Sequence, residues 1–225
     1  MTDLKRTLLE EAVGKPVSRE TFDRLLDYED LFRTWSARIN LASQSTLEAF
    51  WSRHVVDSAQ LVRLAPDAKR WVDLGSGGGL PGVVLAILFA ETANNVVDLV
   101  ESNAKKAAFL TTALSRAGLR PRVHRLRIED AWQAVGPKQI VTARALAPLP
   151  LLIEYAEPWL TAGATGLFHK GRDYRQEIAK SRVTWNFDLI EHQSRVEADS
   201  RILEIGRLAR NDQIMNSNRD GLGKQ

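Results

Sequence analysis

Two hydrophobic rhythms divide the chain. From Ser18 onward apolar residues recur at Leu25, Tyr28, Phe32, Trp35 and Ile39, in alternating steps of three and four. That spacing lays one apolar stripe along a helix, and Ser18 stands where a side-chain oxygen can cap its first amides. Before it, residues 3–13 read as a short helix stopped at Gly14. After it, Ser45 and Glu48 have capping-box spacing, and Leu47, Phe50, Trp51, Val55, Leu61 and Val62 carry an apolar face to Leu64. At Lys69 the rhythm changes. Short apolar runs at 71–75, 95–101, 121–127, 139–143 and 164–169 alternate with helical stretches at 81–90, 103–117 and 148–161, and two more strands are expected near 184–191 and 201–208. Strands alternating with helices predict a doubly wound, mostly parallel α/β sheet covered on both faces. Residues 1–68 then form an N-terminal helical cap, 69–210 the sheet domain, and 211–225 a polar tail expected to fray.

Composition narrows the chemistry. The 225 residues include no cysteine, which excludes disulfides, thiolate metal sites and cysteine nucleophiles. Four histidines, at 54, 124, 169 and 192, lack the spacing of paired helical metal ligands, so no metal is expected. The first thirty residues have no signal-peptide core and no stretch approaches about eighteen uncharged apolar residues. A cytoplasmic protein without a membrane span is expected. The net charge of +3, from 31 basic and 28 acidic residues, does not by itself mark a nucleic-acid binder.

The segment VDLGSGGGLPG, Val72 to Gly82, joins a strand to a helix and carries the strongest chemical signal. Gly75, Gly77 and Gly79 remove side chains so that a ligand can lie on the backbone at the carboxyl end of the first strand, and Pro81 suits the first helical position. Gly77, Gly79 and Gly82 also fit the dinucleotide spacing G-x-G-x-x-G. Glu101, ending the next strand, would hold a ribose diol in either case. Asp73 inside the strand, followed by Gly75 and Gly77, gives the D-x-G-x-G order typical of Rossmann-type methyltransferases and favours that reading over a dinucleotide or a ligand-free turn.

Seven segments in one order extend the signal: WSARINLAS (35–43), RHVVDSAQL (53–61), VDLGSGGGLPG (72–82), VESNAKKAAFL (100–110), RIED (127–130), TARALAPLP (142–150) and FHKG (168–171). Together they resemble the bacterial 16S ribosomal RNA guanine-N7 methyltransferase family, also known as glucose-inhibited division protein B. The resemblance implies a Rossmann-like class I methyltransferase fold that uses S-adenosylmethionine as co-substrate, with 16S ribosomal RNA or the small ribosomal subunit as partner; a monomer is expected. It also implies that Gly75 and Leu80 contact S-adenosylmethionine, that Glu101 binds its ribose, that Ile128 and Glu129 border the adenine through backbone, and that Arg144 stands opposite the glycine loop. The chain departs from many members at Gln139, where they have Asp, and at His169, where they have a small residue.

N7 of guanine carries a free lone pair, so the implied reaction needs no general base. A carboxylate near the acceptor could follow the migrating positive charge, and Asp57 is the candidate, with His54 and Lys170 beside it on the substrate side. A structural alternative makes Arg53 and Asp57 an i, i+4 ion pair and His54 a packed histidine. RPRVHRLR (120–127) is either an RNA contact or a charged sheet edge; Lys170, Arg172 and Arg175 are the preferred phosphate contacts. Trp35, Trp51 and Trp71 read as core. The competing functions are methylation of another RNA, a protein or a small molecule on the same fold, and RNA binding without catalysis.

Overall fold

The computed structural model describes residues 2–41 and 47–211. Helix α1 (Thr2–Val13) ends at Gly14, whose φ of +81° suits glycine. Helix α2 (Arg19–Ser36) begins as predicted, Ser18 Oγ accepting from the amide of Thr21 at 3.0 Å, but stops before Ile39. Ser45 lies outside the described residues, so the proposed capping box has no structural counterpart to compare.

The next stretch corrects the sequence reading. The apolar face expected to run unbroken to Leu64 is interrupted: a π-helical turn (Trp51–Val55) passes into two short helices, α3 (Val56–Ala59) and α4 (Leu61–Leu64). The wider π turn shifts the angular position of every later side chain. Asp57 is consequently turned inward, to 8% exposure.

The sheet has seven strands in the order β3-β2-β1-β4-β5-β7-β6. β1 (Arg70–Leu74), β2 (Val96–Val100), β3 (Val123–His124), β4 (Ile140–Arg144) and β5 (Thr165–Lys170) are parallel. β6 (Trp185–Gln193) and β7 (Arg201–Arg210) form an antiparallel hairpin whose second strand inserts beside β5. The connecting helices are α5 (Gly82–Leu88), α6 (Ala104–Arg116), α7 (Ala131–Val135), α8 (Leu149–Thr161) and α9 (Tyr174–Thr184). The sequence pattern had not marked α7 or α9. Pro81 precedes α5 rather than opening it, and the first helical amide, that of Gly82, donates to Asp73.

Strand side chains alternate between two apolar layers, as a period of two requires. Trp71, Leu99, Ile140, Leu167 and Ile202 face one layer with α5 and α6, while Val72, Leu74, Val141, Phe168 and Leu203 face the other with α8 and α9. The N-terminal helices belong to the first layer. Leu9, Phe22, Leu25, Tyr28, Phe32 and Phe50 share one contiguous cluster with Val83, Leu85 and Phe109, and Phe32 stacks within 4.5 Å of Phe50 and 5.8 Å of Phe109. Each such buried ring contributes about 1.5–3 kcal/mol. Three of the tryptophans are structural too: Trp51, Trp71 and Trp159 are at most 5% exposed and donate Nε1 to the carbonyls of Lys5, Ala68 and Gly136.

The basic run 120–127 divides between two roles. β3 is only two residues long, and Arg122 and His124 turn back onto the fully buried carboxylate of Asp98, at 3.0 and 2.7 Å, joined by Lys138 at 3.0 Å. Burial would raise the pKa of Asp98, but hydrogen bonds from His124, Arg122 and Lys138 outweigh it and hold the carboxyl below its ordinary value. Arg120 and Arg125 stay exposed. Removing the anion from this cluster leaves the little-exposed Lys138 without its counter-charge, so Asp98→Ala should lower unfolding stability by about 3 kcal/mol. Arg122→Ala, at a half-exposed cation, should cost no more than about 1 kcal/mol; urea denaturation of the two variants checks the difference.

Candidate active site

Between β1 and β4 the strand order reverses, and the loops at the carboxyl ends of the strands part to form a crevice there. The glycine loop descends into that crevice. A Cβ on Gly75 would sit 2.5 Å from Leu146, whereas a Cβ on Gly77 would meet no atom nearer than the Gly75 carbonyl at 3.7 Å; both have positive φ. Gly75 is therefore small because the loop packs tightly on the β4 side, and Gly77 because space in front of the loop is left open.

Buried carboxylates fix the loop's backbone. Glu101, 8% exposed, accepts the amide of Gly77 at 2.9 Å and that of Asn103 at 2.7 Å. Asp73 accepts the amide of Gly82 at 3.2 Å and the hydroxyl of Thr142 at 2.9 Å. Burial pushes the pKa of Asp73 up to about 7, against hydrogen bonds from Thr142 and Gly82 that favour its anion. Tyr28, from the cap, donates its hydroxyl to the carbonyl of Gly78, and burial next to Asp73 keeps that phenol protonated.

A cavity of about 300 Å³ opens in front of this loop, walled by Gly75, Gly77, Glu101, Ile128, Glu129 and Tyr155 among others. Five of the expected cofactor residues thus converge from three chain segments. Two do not line it. Leu80 packs, partly buried, against the cap-side core. Arg144 lines a second cavity of about 270 Å³ with Arg53, Asp57, His169, Lys170 and Arg172. The two cavities share one wall residue, Ala145, whose φ of +52° bends the chain between them. Sequence reasoning passed over Ala145 although it lies inside the TARALAPLP segment, because nothing in an alanine advertises a left-handed backbone.

The second cavity is framed by paired polar groups. Asp57 is its hub: Oδ1 accepts from Gln60 Nε2 at 2.6 Å and Ser194 Oγ at 3.1 Å, Oδ2 lies 3.4 Å from Arg144 Nε, and the Asp57 carbonyl accepts from His169 Nε2 at 3.0 Å. Arg53 pairs with Glu197, not with Asp57 as an unbroken helix would have placed it. Lys170, 9% exposed at its side chain, is held by Glu177 at 2.5 Å and the Ala147 carbonyl at 3.0 Å, and so braces the loop after β4. Arg172 is 84% exposed, loosely matched to Asp199 at 3.8 Å. Ser194, Glu197 and Arg201, from the β6–β7 connection and the start of β7, had no sequence signal because their roles depend on a hairpin folding back over the segment 53–60. Gln139, the position where many relatives are expected to carry Asp, accepts the amides of Lys69 and Arg70 at 2.9 and 3.1 Å and so fastens the start of β1.

Among the described residues no cluster of His, Asp or Glu could hold a metal ion, and no helix is long and apolar enough to cross a membrane.

Comparison with known proteins identifies the lineage. The chain is 58% identical over 200 residues to the ribosomal RNA small subunit methyltransferase G of a Chelativorans species, covering 89% of this chain and 95% of that protein. It is 57% identical to the protein of the same name from Brucella canis, over 86% and 91% of the two chains. In fold it resembles an O-methyltransferase from Bacillus cereus solved with S-adenosylhomocysteine, with a TM-score of 0.54 and 14% identity over 92% and 100% of the two chains. The family profile described as rRNA small subunit methyltransferase G matches residues 21–205. With relatives this similar over nearly their whole length, the chain belongs to the rRNA small subunit methyltransferase G family.

Proposed function

We propose that this protein transfers the methyl group of S-adenosylmethionine to N7 of a guanine in 16S ribosomal RNA. The observation that carries the reading is the pair of cavities meeting at Ala145, one walled by the glycine loop and Glu101, the other rimmed by cations. The residues suit the cofactor: Gly77 leaves open space where a Cβ would stand, and Nη1 of Arg144 at the adjoining wall is a buried donor with no partner among the described residues. When bound, S-adenosylmethionine supplies an electrophilic methyl on a sulfonium.

The chain's own part is alignment. Glu101, already oriented by the amides of Gly77 and Asn103, retains carboxylate lone pairs for a ribose diol. Gly77 admits the cofactor backbone-close, Gly75 lines the same wall, and Ile128 and Glu129 border its base. Because N7 of guanine attacks with a free lone pair, no side chain removes a proton. Holding acceptor and donor in line is worth up to roughly 7–11 kcal/mol. Asp57, His54 and Lys170 stand on the substrate side as framework: Asp57 joins Arg144 to the β6–β7 connection, and Lys170 fixes the loop carrying Ala147. Residues 1–68 act as a cap over the domain 69–210, and the enzyme works as a cytoplasmic monomer.

Incubation with S-adenosylmethionine labelled at the methyl group, and with 16S RNA both naked and within small subunits from a strain lacking the enzyme, tests the reading directly. Label should appear as N7-methylguanine at one position. Absence of label on both forms, in protein that binds the cofactor, would assign another acceptor. Arg172, exposed at the rim and free of a close ion pair, is the cation best placed for a phosphate. Arg172→Ala should weaken RNA binding at all sequences and reduce the slope of log affinity against log salt by about 0.7–0.9, read by fluorescence anisotropy across a salt series.

A further inference from the structure

Arg144 leaves β4 at the seam between the two cavities, and its direction is set by a partner on the capping segment. Nη2 of Arg144 lies 2.6 Å from Nδ1 of His54 and 3.0 Å from the carbonyl of Arg53. A guanidinium has only donors. Nδ1 of His54 must therefore accept, and the single proton of the neutral imidazole is carried by Nε2. That Nε2 is buried without a partner among the described residues, as is Nη1 on the far side of the same guanidinium. The imidazole is wedged edge-on against Phe50, at 5.8 Å between ring centres, so it has little room to turn away.

We propose that His54 is a positioning residue for the methyl-transfer site: through the lone pair on Nδ1 it holds the Arg144 guanidinium at the seam, with Nη1 turned to the ligand. This rests on the assignment of Arg144 to the active site. The bond needs an uncharged ring, and the surroundings enforce one. Charged groups facing His54 are Arg144 from β4 and Arg53 and Asp57 from its own segment; Asp57 is in turn bonded to His169 of β5 and Ser194 of the hairpin connection. Burial first, then Arg144, lowers the pKa of His54 to about 4, with Asp57 opposing. Protonation at Nδ1 would both remove the acceptor and set a second cation against the guanidinium. A histidine serves here where a carboxylate would not, because it accepts one hydrogen bond from Arg144 without a second negative charge beside the buried Asp57.

The test compares steady-state methyl transfer in His54→Leu, His54→Asn, Arg144→Ala and the double variant His54→Leu/Arg144→Ala. Leucine keeps bulk without the acceptor; asparagine places an amide oxygen close to where Nδ1 stood. The expected result is a loss of at least about tenfold in kcat/KM for His54→Leu, recovery to within about threefold of wild type for His54→Asn, and no further loss in the double variant beyond Arg144→Ala alone, since coupled residues are not additive. A fully additive double variant, or undiminished transfer in His54→Leu while Arg144→Ala is impaired, would overturn the role of His54. Undiminished transfer in Arg144→Ala would instead overturn the placement of Arg144 in the site. Nitrogen NMR of the wild-type imidazole decides the tautomer independently of any variant's folding: a proton on Nε2, retained as pH is lowered through 6.5 to 5, is expected, and a proton on Nδ1 would refute the inference. In Arg144→Ala the His54 titration should move up toward the ordinary histidine value of about 6.5.

Discussion

The loop between β1 and α5 can serve a ligand only if its backbone is held without side chains of its own, and the rest of the fold is arranged to hold it. Glu101 at the end of β2 accepts the amide of Gly77, Asp73 within β1 accepts that of Gly82, and Tyr28 from α2 donates a hydrogen bond to the carbonyl of Gly78. The last contact comes from the N-terminal helices, which the sequence rhythm sets apart from the sheet domain. Phe32 explains why it is possible: a Cβ on Gly78 would lie 2.5 Å from its ring, so the cap closes on the loop to van der Waals distance. Two carboxylates and a phenol from different layers thus hold the backbone of the loop that walls the first cavity.

From that wall the second cavity follows. Thr142, bonded to Asp73, keeps β4 in register beside β1, and β4 delivers Arg144 and Ala145 to the seam. The segment 51–60 crosses above them, its π turn placing His54 on the guanidinium and Asp57 beneath the hairpin connection. Lys170 and Glu177 brace the opposite side, Glu177 also receiving the amide of Leu149 at the start of α8. A chain that must bring a nucleobase beside a sulfonium needs two adjoining recesses with a fixed boundary, and this boundary is fixed by hydrogen bonds from three strands and the cap.

The periodicities carried much of this. Alternating strands, the stripe through Leu25, Tyr28 and Phe32, the capping Ser18 and the Asp73–Gly75–Gly77 order all correspond to what the structure shows, since each depends on local spacing alone. Gly77, from the spacing of the loop, and Gly75, Glu101, Ile128 and Glu129, chosen on the family resemblance, meet at one cavity because the loops that follow β1, β2 and β3 open at the same edge of the sheet. Side-chain partners did not read out so well. Arg53 bonds a residue 144 positions away rather than Asp57, Lys170 is tied up in bracing rather than free at the rim, and the half-exposed Arg122 and the more buried His124 both pair with Asp98. In each case the partner comes from another element of the fold, and around Arg53 the helical phase is also altered by a π turn that no residue type announces.

Helix α2 reaches the glycine loop through the hydroxyl of Tyr28, which donates to the carbonyl of Gly78. Calorimetric titration of S-adenosylhomocysteine into Tyr28→Phe isolates that bond, because the ring and its packing stay. Losing a net hydrogen bond of about 0.5–1.5 kcal/mol from the loop's carbonyl should weaken binding about two- to tenfold while the protein remains folded. An unchanged dissociation constant would contradict the account and leave the glycine loop held by the sheet alone.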